Sequence, residues 1–278
     1  MTANQRDFFP MHNVVVSLDT GTRGAEYYRQ ILEFLLRSRI RHALTHSPPL
    51  MIDYIRQFWA TARYDAVVDP PVIRMRLNEV PLVFSRADIV NVLQLGDNVL
   101  ELGPTEYAFE FRAGAFQRMG YSGDLTKNQW AKSYLYGQWR YMMHIMIVSL
   151  SARRSGFDIM GPRLQSAMAA LVYNKPYSFS QFFMDEFIQQ TQVGGRERFL
   201  MYPRFIMMII QHLLPNLPAL PNVVQVPAIG RRLYTDCQHH NVRRPIAERP
   251  METTLFGHLV NPNYIPPAND HFLDDNFY

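Results

Sequence analysis

The sequence predicts a mainly α fold: a multi-helix globular domain around a central buried helix, with one small β-hairpin and an extended Pro-rich C-terminal tail. Three observations predict it. The stretch from Tyr134 to Ala152, YLYGQWRYMMHIMIVSLSA, is apolar on nearly every face and contains no proline. Apolar residues at helical spacing recur on both sides of it. Only one pair of alternating runs, Val72 to Leu77 and Val80 to Phe84, reads as strand.

The central stretch would make a helix of roughly 28 Å at ~1.5 Å rise per residue. A helix apolar all round is either buried or membrane-spanning. Arg140 and His144 interrupt the run, and its longest unbroken apolar piece is only Ile145 to Val148. Charge inside a bilayer is costly, so the stretch reads as the buried axis of a soluble domain. His144 reads as a hydrogen-bonded core residue rather than a catalytic base.

The 278 residues are 47% hydrophobic and 19% charged, which are globular values and exclude a disordered chain. The formal charge is +4, built from 25 Arg and only 3 Lys against 24 acidic residues. Arginine suits bidentate contact with phosphate or carboxylate. A charge of +4 over this length does not by itself imply nucleic-acid binding. The single cysteine, Cys237, excludes an intramolecular disulfide and fits a reducing compartment. The first residues, MTANQRDFFP, lack a basic start followed by an apolar core, so no secretory signal is expected. The expectation is an intracellular protein, nuclear or cytoplasmic, with no membrane association.

In chain order, residues 1–22 form a leader, with Val14 to Val16 as a short strand. Leu18-Asp19-Thr20-Gly21-Thr22 is the local signature of an aspartic protease, whose carboxylate shares a proton with a second one. No second such triplet occurs, so only a homodimer could complete the pair, and the simpler reading is a turn. Residues 23–214 form the helical domain. Its first helix spans residues 25–37, with an apolar stripe at Tyr27, Tyr28, Ile31, Phe34 and Leu35. Ser47-Pro48-Pro49 is expected to start the next, through about Ala62, because proline belongs in a first turn. The hairpin lies near residues 72–84, around the turn Asn78-Glu79. Ser85 and Asp88 then form a capping box opening a helix that stops at Gly96.

Further helices are expected over residues 107–119 and 162–173, from Ser178 or Ser180 to Gly194-Gly195, and over 205–214. Residues 215–278 carry 9 of the 19 prolines and read as a poorly packed tail.

The candidate nucleic-acid contacts are Arg37, Arg39 and Arg41 at one predicted helix end, with Arg153 and Arg154 after the central stretch. No catalytic, cofactor-binding or metal residues are expected. Cys237, His239 and His240 lack the two spaced pairs of a structural zinc site. No phosphate-cradling loop, dinucleotide fingerprint or His-Glu-x-x-His is present.

A set of short pieces has a counterpart elsewhere. They are Ala43-Leu44, Ile55 to Ala62 (IRQFWATA), Phe84-Ser85 with Ile89, Met119-Gly120-Tyr121, Gln138-Trp139 with His144, Leu150-Ser151, Phe179-Ser180, and Leu200 to Phe205 (LMYPRF). In these pieces, from about residue 30 to 206, the chain resembles a family of proteins encoded in plant retrotransposon-like loci, the plant transposon proteins. The hairpin followed by a Ser-capped helix is also similar to an element of the plant mobile domain. The resemblance implies a plant source and a transposable-element origin, and transfers no catalytic residue.

The expected function is therefore that of a non-enzymatic, element-derived protein acting by protein–protein interaction or self-association. The alternative is a gag-like module binding RNA or DNA through the arginines named above. A dimeric aspartic protease built on Asp19 is the distant third.

Overall fold

The structure, a computed structural model, describes residues 12–21, 25–96, 98–127, 129–135, 137–153, 155–192, 200–226 and 228–229. Strand β1 (Val15–Val16) is followed by a 3₁₀ turn and helix α1 (Arg29–Arg37), with the short helix α2 (Arg41–Thr45) next. Within α1 the expected apolar stripe faces inward, with Ile31, Leu32 and Leu35 fully buried, whereas Tyr27, in the 3₁₀ turn before it, is 40% exposed. Strand β2 (Leu50–Met51) precedes α3 (Ile52–Thr61). Pro48 and Pro49 therefore lie before a strand and not in the first turn of the helix. Leu50 and Met51 extend because they pair antiparallel with β8 (Val223–Val224), a partner with no local signal.

Strands β3 (Arg63–Asp65), β4 (Val72–Leu77) and β5 (Val80–Ser85) form an antiparallel sheet in that order. Asn78 and Glu79 both have positive φ, 46° and 66°. That is the backbone of a type I′ turn, whose twist matches a two-residue hairpin. Residues flanking such a turn pair by hydrogen bonds, so alternate residues of β5, including Pro81, turn their backbone outward. The missing N–H of Pro81 thus falls on the free edge and blunts it.

Asp88 opens α4 (Arg86–Leu93) by accepting from the Ser85 amide at 2.7 Å and its hydroxyl at 2.9 Å. Ser85 and Asp88 thus make the capping box expected, with the Ser85 hydroxyl also donating to the carboxylate. Gln94, in the left-handed region at φ 50°, ends the helix before Gly96. Helix α5 (Phe109–Arg118), strand β6 (Trp130–Ala131) and helix α6 (Gly137–Ile145) follow. Next come β7 (Ile159–Met160), α7 (Pro162–Val172), α8 (Phe179–Gln192), α9 (Pro203–Leu213), β8 and β9 (Ala228–Ile229). β6 pairs with β7, and β1 runs parallel to β9.

The central stretch is not one regular helix. Residues 132–134 are 3₁₀, α6 begins at Gly137, and Met146–Leu150 widen into a π-turn. From residue 137 to 150 only Gln138 and His144 are not buried, so the segment is the interior element expected. No described helix is long and apolar enough to cross a membrane.

The expectation of a mainly α fold is corrected. About 50% of the described residues are helix and 13% strand. Among the described residues there are nine α-helices and four small sheets, a mixed α and β architecture. Three of the four sheets are pairs of two-residue strands, too short to show an alternating pattern.

Helices α3, α4 and α8 pack against the three-stranded sheet, and α9 packs on α3 and α4. Phe58, Trp59, Phe84, Phe187, Tyr202 and Phe205 fill the space between, with ring centroids 4.9 to 6.3 Å apart in tilted, edge-on or stacked pairs. Of the leader, residues 12–21 are described, and Val14 and Val16 are buried. Of the tail, β8 and β9 pair with the body; residues 230–278 lie outside the described residues, as do Gly194 and Gly195.

Candidate functional site

The arginines picked out by sequence have different surroundings. Arg37 is exposed on the last turn of α1, 3.9 Å from Glu33 one turn earlier. Arg41 is exposed at the start of α2. Arg39, between them in sequence, points inward. Its side chain is only 9% exposed, its Nη1 lies 3.6 Å from Glu101 Oε1, and its guanidinium covers the Phe179 ring at 5.2 Å. Arg153 donates to the carbonyls of Gly156 and Ile159, closing the turn before β7. Burial lowers its pKa, opposed by the Glu186 carboxylate. Arg154 lies outside the described residues. Of the described four, Arg37 and Arg41 face solvent, and Arg39 and Arg153 hold segments of the fold together.

Glu101 organises the most elaborate of these attachments. Its carboxylate sits at the start of α8 and accepts the amides of Phe179 at 3.3 Å and Ser180 at 2.9 Å. A carboxylate there satisfies amides that have no partner within the helix and meets the positive end of its dipole. Ser178 supplies the local cap, accepting the Gln181 amide at 3.1 Å. Around this point the chain is clamped: the Tyr177 amide donates to the Leu100 carbonyl at 2.8 Å, and a Cβ on Gly103 would lie 2.2 Å from the Pro176 carbonyl carbon. Glu101 is 4% exposed, yet its neighbours Val99 and Leu102 are 69% and 75% exposed. Two large apolar side chains thus stand in water on a turn anchored from beneath.

A second polar centre surrounds Arg204, which is fully buried. Its Nε donates to the Asn13 carbonyl at 3.0 Å, Nη1 to the His46 carbonyl at 2.6 Å, and Nη2 to the Ser149 hydroxyl at 3.0 Å. Asn13 Oδ1 accepts the Arg204 amide at 2.9 Å, and Asn13 Nδ2 donates to the Ser149 carbonyl at 2.9 Å. No described carboxylate bonds the guanidinium. Burial lowers its pKa to about 9, so it is still charged at neutral pH. Tyr202 introduces this helix from the left-handed region at φ 47°, held there by its hydroxyl on the Leu150 carbonyl at 2.9 Å.

Arg112 and Arg140 are also interior. Arg112 bridges α5 to α7 through Gln165 Oε1 at 2.5 Å and accepts no contact from solvent beyond 5% exposure. Burial lowers its pKa, opposed by Glu106. Arg140 donates to the carbonyls of Ser133 and Leu135 at 2.7 and 2.9 Å.

A set the sequence reading missed lies on the outer face of the β3-β4-β5 sheet. Arg63 is directly opposite Arg74, and Arg76 shares their face. Arg74 pairs with Asp65 at 2.7 Å and Arg76 with Glu79 at 3.4 Å, all four partly or largely exposed. The alternation Arg74-Met75-Arg76 already placed two arginines on one face; Arg63 joins them only through β3, which has no strand signal of its own.

Asp19 forms a local turn, its Oδ1 accepting the Gly21 amide at 2.8 Å in an exposed segment. Thr22 lies outside the described residues, as do Cys237, His239 and His240. His144 is half-buried on α6. No group of three metal-ligating side chains occurs among the described residues. Comparison with protein-family profiles, with characterised proteins and with solved structures finds no match.

Proposed function

We propose that the chain is a non-enzymatic binding protein of transposable-element origin that acts by protein–protein contact, associating with itself or with a protein partner. The observation that carries this reading is the pair Val99 and Leu102, 69% and 75% exposed beside a buried Glu101. A surface apolar side chain on a loose loop needs no explanation. Here the turn is fixed by Glu101 on the amides of α8 and by the Tyr177 amide on Leu100. A preorganised apolar pair loses little freedom on binding. The arginines that could read phosphate, notably Arg39 and Arg204, hold the interior instead. Sedimentation of the full chain should show association that weakens in a Val99→Ser/Leu102→Ser variant. A wild-type chain that stays monomeric and retains no partner from plant nuclear or cytosolic extract would overturn the reading.

A second reading rests on Arg63, Arg74 and Arg76. Like charges directly opposite on a sheet are destabilising, and their exposed ion pairs contribute little. A phosphate backbone laid across this face would relieve the repulsion, which suits a gag-like nucleic-acid module. Its sign would be affinity for RNA or DNA that falls steeply with salt.

A further inference from the structure

A pair of histidines on α2 lies beside the buried Arg204. His42 and His46 are one helical turn apart, with rings stacked at 4.5 Å and 15°. His42 is half-buried and His46 exposed. The carbonyl of His46 is one of the three acceptors that hold the Arg204 guanidinium. Helix α2 has five residues and no side-chain hydrogen bond at its N-cap, so little holds it apart from packing.

The charged groups acting on His42 are Arg41 on its own element, His46 when protonated, and Arg204 from α9. All are cations. Of the elements packed against α2, helix α1 carries Arg29, Glu33 and Arg37, with Glu33 beside Arg37. Strand β1 has no titratable side chain and is flanked by His12 and Asp19, and the π-turn Met146–Leu150 has none. No described carboxylate bonds either ring.

We propose that the stacked His42–His46 pair makes the seating of the amino-terminal strand acid-sensitive. Protonation of His42 adds positive charge to a site already occupied by Arg41 and Arg204. The repulsion is relieved by loosening α2, which draws the His46 carbonyl from Arg204. Arg204 is also the residue that grips Asn13, through the Asn13 carbonyl and side chain. The segment from Asn13 to Val16 is held further by the Val14 amide on Val148 and by β9. Weakening the Arg204 centre therefore loosens the strand and, through β9, the start of the C-terminal segment. Burial lowers the pKa of His42, with His46, Arg204 and Arg41 acting in the same direction. The unfolded ring takes up a proton first on acidification, so the contribution of His42 to stability is present above 6.5 and is lost as pH falls below it.

Amide hydrogen exchange on the full chain, corrected for intrinsic rate, tests this at about pH 7.5 and about pH 5.5, either side of an ordinary histidine. Protection at the Val14 and Arg204 amides should fall on acidification relative to the amides of β4, by up to about tenfold, since the lower pH lies about one unit below an ordinary histidine. In the variant His42→Gln/His46→Gln the fall should disappear, and His42→Arg should lower protection at both pH values. Should the double variant not fold, His46→Gln, with an exposed ring, should reduce the fall. An equal fall in wild type and variant, or none in wild type, overturns the proposal.

Discussion

The indole N–H of Trp59 donates to the carbonyl of Met201 at 3.2 Å, in a part of the core where Trp59 is 1% exposed. This bond joins the segments Phe58-Trp59-Ala60-Thr61-Ala62 and Leu200-Met201-Tyr202-Pro203-Arg204-Phe205, which lie far apart in sequence. It fixes the carbonyl just before the strained Tyr202 and so sets the entry of α9. Trp59→Phe keeps the ring contact with Phe58 and Phe187 but leaves the Met201 carbonyl without its donor. The expected cost is ~1–3 kcal/mol, read as a lower urea midpoint at unchanged slope.

Arg204 holds three acceptors in three directions, on Asn13, His46 and Ser149. A lysine has no planar fork to match them. Arg204→Lys should cost at least ~2 kcal/mol, and more than Arg37→Lys, whose side chain is 54% exposed and touches only Glu33. Paired urea titrations of the two variants check the order.

Gly103 has no room for a side chain, since its Cβ would meet Pro176 and Tyr177 backbone at 2.2 to 2.5 Å. Gly156 is the converse, with φ +68° and nothing within 4 Å of a Cβ. Gly156→Ala should cost only the conformational penalty of ~1–2 kcal/mol. Gly103→Ala should lower thermal stability by more, because backbone on both sides must separate. It should also disturb the turn bearing Val99 and Leu102, and with it any association.

Burial raises the hydroxyl pKa of Tyr177 and Tyr202, each further raised by the Glu186 carboxylate or by acidic neighbours. In the unfolded chain these groups ionise near 10, while the folded chain keeps their protons. The native state then binds more protons, so their contribution is lost as pH rises above 10. Arg204 acts oppositely over the same range, so the difference between proteins is the test. The stability of Tyr177→Phe should fall less steeply above that pH than wild type, by ~1.4 kcal/mol per pH unit.

What could be read from sequence was local. The hairpin follows from two alternating runs around Asn78-Glu79, and the start of α4 from Asp88 three residues after Ser85. Pro162 opens α7 and Ser178 caps α8, each within one turn of the residue that signals it. What was not read depends on distant partners. Leu50-Met51 are extended because Val223-Val224 lie beside them, although the prolines before them suggested a helix start. The basic run around Arg39 was plain, but its inward side chain depends on Glu101 and Phe179. Asn13 and Ser149, which complete the Arg204 centre, are ordinary polar residues in sequence. Val99 and Leu102 are apolar in a loop, and only the burial of Glu101 between them shows that they are held in place.

The salt dependence of association separates apolar contact from phosphate binding. Sedimentation of the full chain, alone and with a single-stranded oligonucleotide, should be compared at about 50 mM and about 200 mM salt. Contact through Val99 and Leu102 predicts self-association that is unchanged or stronger at the higher salt, with no oligonucleotide bound at either. Oligonucleotide binding at the lower salt that collapses at the higher, and is lost in Arg74→Ala/Arg76→Ala, would contradict it.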